Sequence, residues 1–152
     1  MRLLYSKPRL KDLSQGSRIS FIRQFRHMSQ DDVSDMLGLL DENRRRTITR
    51  YETNERSPSE SRLIEIAKIL LVDPIWIKNY SFQDKKELIC FALWLDELYP
   101  KMRFDFEDDD EELKDFFNEF QKMKDKRIIG EIQFDEYIEW KLNYLEKEDK
   151  YE

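Results

Sequence analysis

The sequence is poor in the residues that build disulfide, metal and nucleophilic sites. It has one cysteine and one histidine in 152 residues, which excludes a disulfide framework and a cysteine-rich zinc site. A catalytic triad would have to use His27, which lacks the signature of a serine or cysteine partner. Cys90 lies in an apolar helical pattern and is expected to be a buried, inert thiol. We therefore expect no enzymatic activity, no catalytic residue, no metal and no cofactor.

Glycine, proline and long apolar runs are also scarce. Three glycines and four prolines disfavour linkers and turn-rich all-β folds. No run of about 18 apolar residues is present to span a membrane, and the first dozen residues lack the apolar segment of a signal peptide. Hydrophobic residues still make up 39% of the chain, which is enough for a core. These features predict a soluble, cytoplasmic protein.

The net charge of −6 is divided unevenly along the chain. Residues 1–80 carry 15 basic and 11 acidic side chains, whereas residues 81–152 carry 12 basic and 22 acidic ones. The first part is therefore +4 and the second −10. This split predicts two domains with separate roles, and a polyanion is a candidate partner of the first. An alternative stays open, in which the charges of both parts only make the protein soluble and bind no partner.

Apolar residues spaced three and four apart predict five short helices in residues 1–80. At the start of the second helix, Ser29 and Asp32 form a capping-box pattern. Gly38 is expected to end that helix with a positive φ.

The remaining helix boundaries of this part follow from capping residues. Asn43 is expected to cap the third helix, predicted over 44–53. Ser57 is expected to cap the fourth, with Pro58 in its first turn. A fifth helix is predicted to begin at Asp73, before a proline.

An ordered series of residues across 17–77 resembles the lambda repressor/Cro-type helix-turn-helix family, also called the XRE family. The resemblance implies an all-α fold, a five-helix DNA-binding domain followed by a small helical C-terminal domain. The motif itself would occupy about 29–54, with its third helix in the major groove of DNA. The matching residues are Arg23, Ser29-Gln30, Leu37-Gly38, Ile48, Tyr51-Glu52, Arg56-Ser57-Pro58, Leu63, Ile66-Ala67, Leu70 and Val72.

Two features depart from the usual pattern of that family. Asn54 stands where the family has a glycine that ends the third helix, and asparagine is the other residue that tolerates a left-handed conformation best. The turn before the third helix is longer than usual by residues 39–44, so the sequence resembles the long-turn variety. The resemblance implies a bacterial or phage-encoded, nucleoid-associated protein.

The predicted third helix carries the cations expected to meet DNA. Arginine suits both guanine edges and phosphate, and we expect Arg45, Arg46 and Thr49 at base edges. The resemblance implies a phosphate contact for Gln30. The whole set of candidate DNA-binding residues is Gln30, Arg44, Arg45, Arg46, Thr47, Thr49 and Arg50. Two alternatives stay open: the arginine run as a solvated surface, and Arg56 in an ion pair with Glu52 rather than with phosphate.

Residues 81–152 are predicted to be helical, acidic and rich in aromatic side chains. Apolar spacing predicts helices over 85–99, 113–123 and 134–145, and 102–106 is predicted as a short strand or an extended linker. Six consecutive carboxylates at 107–112 fail the calcium-loop pattern, so we attribute them to a helix start. Three short helices are expected to leave some rings uncovered, which predicts a homodimer interface at Phe116, Phe117, Phe120, Tyr137 and Trp140.

These features together predict a sequence-specific regulator of transcription that binds double-stranded DNA. A repressor on a palindromic operator, bound as a homodimer, is the first hypothesis. The alternative is an antitoxin or anti-defence inhibitor in which residues 81–152 bind another protein while the helix-turn-helix controls its own gene. Neither hypothesis involves a membrane.

Overall fold

A computed structural model describes residues 7–39, 44–105, 107 and 109–149, with side chains up to residue 146. These residues form seven α-helices and one 3₁₀ turn and contain no strand. They divide into two compact units, one ending at Asn79 and the other beginning at Tyr80. The predicted all-α fold is confirmed. In the part of the chain that is described, no helix is long and apolar enough to cross a membrane.

The first unit contains four α-helices and the 3₁₀ turn. They are α1 (Gln15–Phe25), α2 (Gln30–Met36), α3 (Arg44–Glu52), α4 (Glu60–Leu70) and the turn Pro74–Trp76. The predicted fifth helix is therefore only a turn. The two buried apolar residues of this segment, Trp76 and Ile77, are consecutive. A single tight turn can bury such neighbours, whereas an amphipathic helix buries residues three or four apart.

The ends of α2 follow the sequence prediction. The Asp32 amide donates to Ser29 Oγ at 3.0 Å and the Ser29 amide donates to Asp32 Oδ2 at 2.7 Å, which confirms the capping box. Hydrogen bonds from the Ser29 amide and hydroxyl hold the pKa of the Asp32 carboxyl below its usual value. Gly38 follows the helix at φ +76°, also as predicted.

The predicted cap of α4 is wrong by two residues. Ser59, not Ser57, is the N-cap, and its hydroxyl accepts a hydrogen bond from the Arg62 amide at 3.2 Å. Pro58 consequently precedes the cap instead of lying in the first turn. The helix begins later because its first backbone bond, from the Leu63 amide to the Ser59 carbonyl, coincides with the start of its apolar stripe.

Helices α1 to α4 enclose the core of the first unit. Arg18, itself buried, donates to the backbone carbonyls of Leu13, Trp76 and Lys78 and so fastens the 3₁₀ turn to α1. The buried apolar side chains are Leu10, Ile19, Phe21, Ile22, Phe25, Val33, Ile48, Tyr51, Leu63, Ile66, Ala67, Leu70, Val72, Trp76 and Ile77.

The second unit contains α5 (Lys85–Leu98), α6 (Glu111–Ile128) and α7 (Phe134–Asp149). All three predicted helices are present, but α6 and α7 are longer than the apolar pattern indicated. Asp110 caps α6 by accepting from the Leu113 amide at 3.0 Å, and the following acids lie in its first turn. Residues 102–105 form no strand. Cys90 is buried in α5, as expected.

The aromatic side chains of α6 and α7 pack against each other within one chain. Phe116 and Phe120 stack 5.6 Å apart, and Tyr144 meets Phe116 edge-on at 5.2 Å. Phe116, Phe120 and Tyr137 are 0%, 1% and 6% exposed, so they offer no surface to a second copy. The neighbours that cover Phe116 and Phe120 include Tyr144 and Lys124, whose Nζ lies 5.4 Å from the Phe120 ring in the part of α6 beyond the predicted helix. Phe117 and Trp140 are only half-buried, so these two remain predicted interface residues.

A buried cluster of charges that the sequence pattern does not predict joins the three helices of the second unit. Asp96 on α5 accepts from Lys124 Nζ, Lys141 Nζ and Tyr137 Oη at 2.7, 2.7 and 2.8 Å. Glu97 accepts a further bond from Lys141 at 2.6 Å. Burial opposes ionisation of Asp96, but the two lysines and the tyrosine outweigh it and lower the pKa of the carboxyl. Burial and the neighbouring Asp96 raise the pKa of Tyr137.

Candidate nucleic-acid interface

Helices α2 and α3 pack on each other and are joined where the second one begins. The hydroxyl of Ser34, which is fully buried, donates to the Gln30 carbonyl at 2.9 Å and to the Arg44 carbonyl at 3.1 Å. Ile48 and Tyr51 of α3 point into the core. The remaining faces of α3 are therefore held outward. Residues 40–43, with the predicted Asn43 cap, lie outside the described residues.

The outward side of α3 is cationic. Arg45 and Arg46 are exposed, and within the described residues neither forms an ion pair. Arg50, one turn beyond Arg46, is half-buried and lies 3.9 Å from the carboxylate of Glu55. Thr47 is half-buried on the same helix. The structure thus brings the predicted cations to one exposed helix, a geometry that suits both phosphate and guanine.

Arg44 differs from the two arginines that follow it. Its Nη1 lies 2.6 Å from Oδ1 of Asp35, an acid near the end of α2. Both side chains are partly exposed, Arg44 to 40% and Asp35 to 54%. Arg44 is one of the predicted DNA-binding residues. Its contact with Asp35 is not predicted by the sequence, because helix periodicity carries no information about a contact across a turn of this length.

Gln30 connects α2 to the exposed side of α3. Its Nε2 donates to Glu52 Oε1 at 3.1 Å. Its Oε1 accepts from Thr49 Oγ1 at 3.0 Å and, over a longer distance of 3.4 Å, from Arg45 Nε. Gln30 therefore contacts two of the three residues predicted to read bases. Its own predicted contact with phosphate stays a prediction.

Glu52 forms the inner end of this network. It accepts two hydrogen bonds from Arg23 of α1, from Nε at 2.6 Å and from Nη2 at 2.9 Å. Of the two alternatives left open for Arg56, the ion pair with Glu52 is not formed, since Arg23 occupies both carboxylate oxygens while Arg56 is exposed and has no ion pair among the described residues. Because one oxygen also accepts from the Gln30 Nε2, Glu52 fixes the orientation of that amide and leaves its oxygen facing Thr49 and Arg45.

Asn54 ends α3 in the way the sequence predicted. Its φ is +65°, in the left-handed region. Its Oδ1 accepts from the Gly16 amide at 2.9 Å and its Nδ2 donates to Ser14 Oγ at 2.9 Å. These bonds hold the end of the presumed recognition helix against the start of α1. Neither Ser14 nor Gly16 was singled out in the sequence, because nothing local marks them as contacts.

The comparisons with known proteins agree with this arrangement. Residues 19–77 match a family model described as helix-turn-helix. That range contains α2, α3 and α4 and both members of the Arg23–Glu52 pair. None of the curated proteins and none of the solved structures with which the chain was compared is a match. The match supports a lambda repressor/Cro-type (XRE family) helix-turn-helix over residues 19–77, and with it a DNA-binding regulator of transcription.

Proposed function

We propose that the protein represses transcription by occupying a palindromic operator as a homodimer. The observation that carries the proposal is the exposed, cationic side of α3, where Arg45 and Arg46 have no acidic partner in the described part of the chain. A helix inserted in the major groove with such residues reads guanine through bidentate bonds and touches phosphate with the others. Occupying a promoter in this way excludes the polymerase.

In this proposal, the base contacts come from side chains on the exposed side of α3. Arg45, Arg46 and Thr49 approach base edges, whereas Gln30 and the free amides that open α2 face the phosphate backbone. Thr47 and Arg50 flank these residues on α3. Glu52 lies behind them and contacts no DNA itself, because its side chain is 7% exposed.

Selection of bound duplexes from a random pool tests the proposal most directly. A palindromic consensus supports a dimeric regulator, whereas a consensus without symmetry contradicts the operator that we propose. Changing Arg45 or Arg46 to Ala should then weaken binding to the selected duplex by about 1–3 kcal/mol. If the double variant binds the selected duplex as tightly as the parent, α3 is not the reading helix.

Light scattering on the full chain and on residues 1–80 tests the proposed dimer. We expect a dimer for the full chain and a monomer for the shorter one, because Phe117 and Trp140 keep exposed surface in the second unit. Pairing two half-sites through such a dimer raises affinity. A monomeric full chain at micromolar concentration, or a dimer formed by residues 1–80, contradicts this location of the interface.

A second candidate function rests on the surface of the second unit. Ile128 and Ile129, where α6 ends, are 70% and 73% exposed, and residues 81–152 carry a charge of −10. An exposed apolar pair on an acidic surface suits a protein partner better than self-association, since two such units repel each other. This is the antitoxin or anti-defence hypothesis. A stoichiometric complex of residues 81–152 with another protein, abolished by Ile128→Asp, supports it over the dimeric repressor.

A further inference from the structure

The ion pair between Asp35 and Arg44 divides the arginine run of α3 into two kinds of residue. Arg44 Nη1 and Asp35 Oδ1 are 2.6 Å apart. Arg45 and Arg46 have no such partner among the described residues, although all three arginines are consecutive. A single carboxylate on the neighbouring helix therefore pairs with the first cation of α3, whereas the next two have no acidic partner in the described part of the chain.

Neither member of the pair lies where the dipole of its own helix favours it. Asp35 is in the last turn of α2, near the negative end, and Arg44 is the first residue of α3, at the positive end. The other acids of α2, Asp31 and Asp32, lie in its first turn, where the dipole stabilises them. The two unfavourable placements offset each other only when the charges meet. The dipole of neither helix thus accounts for either residue, and what the pair contributes lies in its contact across the turn.

We propose that Asp35 is a specificity-determining residue that holds Arg44 away from the DNA backbone. This inference rests on the proposed binding of DNA by α3. Non-specific affinity comes from neutralising phosphates, and specificity is the ratio of operator affinity to non-specific affinity. Withdrawing one cation from the helix lowers non-specific affinity. On the operator, base contacts by Arg45 and Arg46 fix α3 in the groove and limit the phosphates within reach of Arg44, whereas in a non-specific complex the helix is free to shift towards one. Withdrawing Arg44 therefore lowers non-specific affinity more than operator affinity, and the ratio rises.

The junction between α2 and α3 allows this role to be tested without moving the helix. The Ser34 hydroxyl holds the Arg44 carbonyl at 3.1 Å independently of the ion pair. An Asp35→Asn change keeps the size of the side chain and removes its charge. We therefore expect the backbone at the start of α3 to stay in place while the Arg44 side chain becomes free to reach phosphate.

Binding of a fluorescent random-sequence duplex to the full chain, measured between 50 and 200 mM salt, is the experiment. Asp35→Asn should bind this duplex more tightly than the parent. One added phosphate contact steepens the slope of log affinity against log salt by about 0.9 per bound chain, so the gain over the parent shrinks about 3.5-fold across that range. The ratio of operator to random-duplex affinity should fall. Glu65→Gln, on the exposed side of α4, changes the net charge equally and is expected to leave the slope unchanged.

The Arg44→Gln background shows whether the effect passes through Arg44. In that background, Asp35→Asn should change neither the affinity for the random duplex nor the salt slope. If Asp35→Asn does not fold, as judged by its thermal transition, Asp35→Ser takes its place in the same comparison. The proposal is overturned if the Asp35 variants bind the random duplex no more tightly than Glu65→Gln does. It is also overturned if the Asp35 change raises affinity for that duplex in the Arg44→Gln background. These measurements need only non-specific binding, so they remain interpretable if the duplex selection yields no palindrome.

Discussion

The amide of Gly16 donates a 2.9 Å hydrogen bond to the side chain of Asn54, so the first turn of α1 lies directly on the end of α3. The approach is closer than any side chain at residue 16 would allow. A Cβ there would come within 2.5 Å of the backbone carbonyl oxygens of both Tyr51 and Glu52. Gly16 therefore sets how closely α3 packs against α1.

Gly16→Ala is expected to destabilise the first unit strongly. The new methyl group meets two backbone oxygens that cannot rotate away, so α1 and α3 have to separate. Overpacking of this kind costs about 1–3 kcal/mol, and we expect the upper end. Urea denaturation measures the loss. Gln24→Ala, on the exposed side of the same helix, should change stability by no more than about 0.5 kcal/mol; equal effects of the two variants would contradict the close approach.

Asn54 variants separate its backbone conformation from its hydrogen bonds. Glycine adopts the positive φ more easily but loses both side-chain bonds, to Gly16 and to Ser14. We expect Asn54→Gly to be less stable than the parent by about 1 kcal/mol. Asn54→Ala should be worse by about 1 kcal/mol again, because it also keeps the strain of the left-handed conformation. Thermal melts give the order. A glycine variant at least as stable as the parent would mean that the hydrogen bonds contribute nothing.

Local signals in the sequence predicted most of the helices, and long-range packing explains the rest. The capping box at Ser29 and the left-handed Asn54 could be predicted because each depends on a few neighbouring residues. The contacts Arg23–Glu52 and Asp35–Arg44 join different helices, so no periodicity indicates them. Sequence proximity offered Arg56 as one possible partner of Glu52, whereas the fold brings Glu52 to Arg23.

The full lengths of α6 and α7 could not be predicted from the sequence either. Their polar ends carry no apolar periodicity, so the pattern predicted shorter helices and too little surface to cover the rings between them. The buried charges were missed for a related reason. From sequence alone, lysine and aspartate are expected to be exposed to solvent. Lys124 and Lys141 are buried here because each forms an ion pair with Asp96.

Glu52→Gln is expected to weaken both folding and DNA binding. The Arg23 and Glu52 side chains are 12% and 7% exposed, and removing one charge of a buried pair costs about 3 kcal/mol. An amide at residue 52 also no longer requires a donor from Gln30. The Gln30 side chain can then turn over, and its oxygen no longer accepts from Thr49 and Arg45. Denaturation in urea and binding to the selected duplex are the two measurements.

Two further variants distinguish these effects of Glu52. Gln30→Ala should weaken DNA binding with little loss of stability, because the core pair with Arg23 remains. Glu55→Gln removes a carboxylate that is 66% exposed and 3.9 Å from Arg50, and should change stability by less than about 1 kcal/mol. If Gln30→Ala binds the selected duplex as the parent does, the orientation of this amide has no part in recognition.

Asp96→Asn is expected to be the most destabilising single change in the second unit. It leaves Lys124 without a carboxylate and Lys141 with Glu97 alone, although both lysines are buried. Breaking a buried pair by removing one partner costs about 3–5 kcal/mol. Tyr137→Phe removes only the 2.8 Å hydrogen bond to Asp96 and should cost about 1 kcal/mol. Urea denaturation compares the two, and similar losses would show that the lysines do not depend on Asp96.

The same cluster should also make stability depend on pH at the acid end. The pKa of Asp96 is lower in the folded protein than its usual value, because the lysines and Tyr137 outweigh the effect of burial. As the pH falls, the unfolded chain binds the proton first. The contribution of Asp96 to the free energy of unfolding is therefore complete above its unfolded pKa, about 3.9, and disappears as the pH falls through the lower folded pKa.

Asp96→Asn lacks this contribution, so its stability should fall less steeply than that of the parent between about pH 5 and pH 2. Urea midpoints across this range give both curves, with Asp125→Asn, an exposed acid of α6, as the control; parallel curves for Asp96→Asn and the parent would show that Asp96 does not titrate with folding.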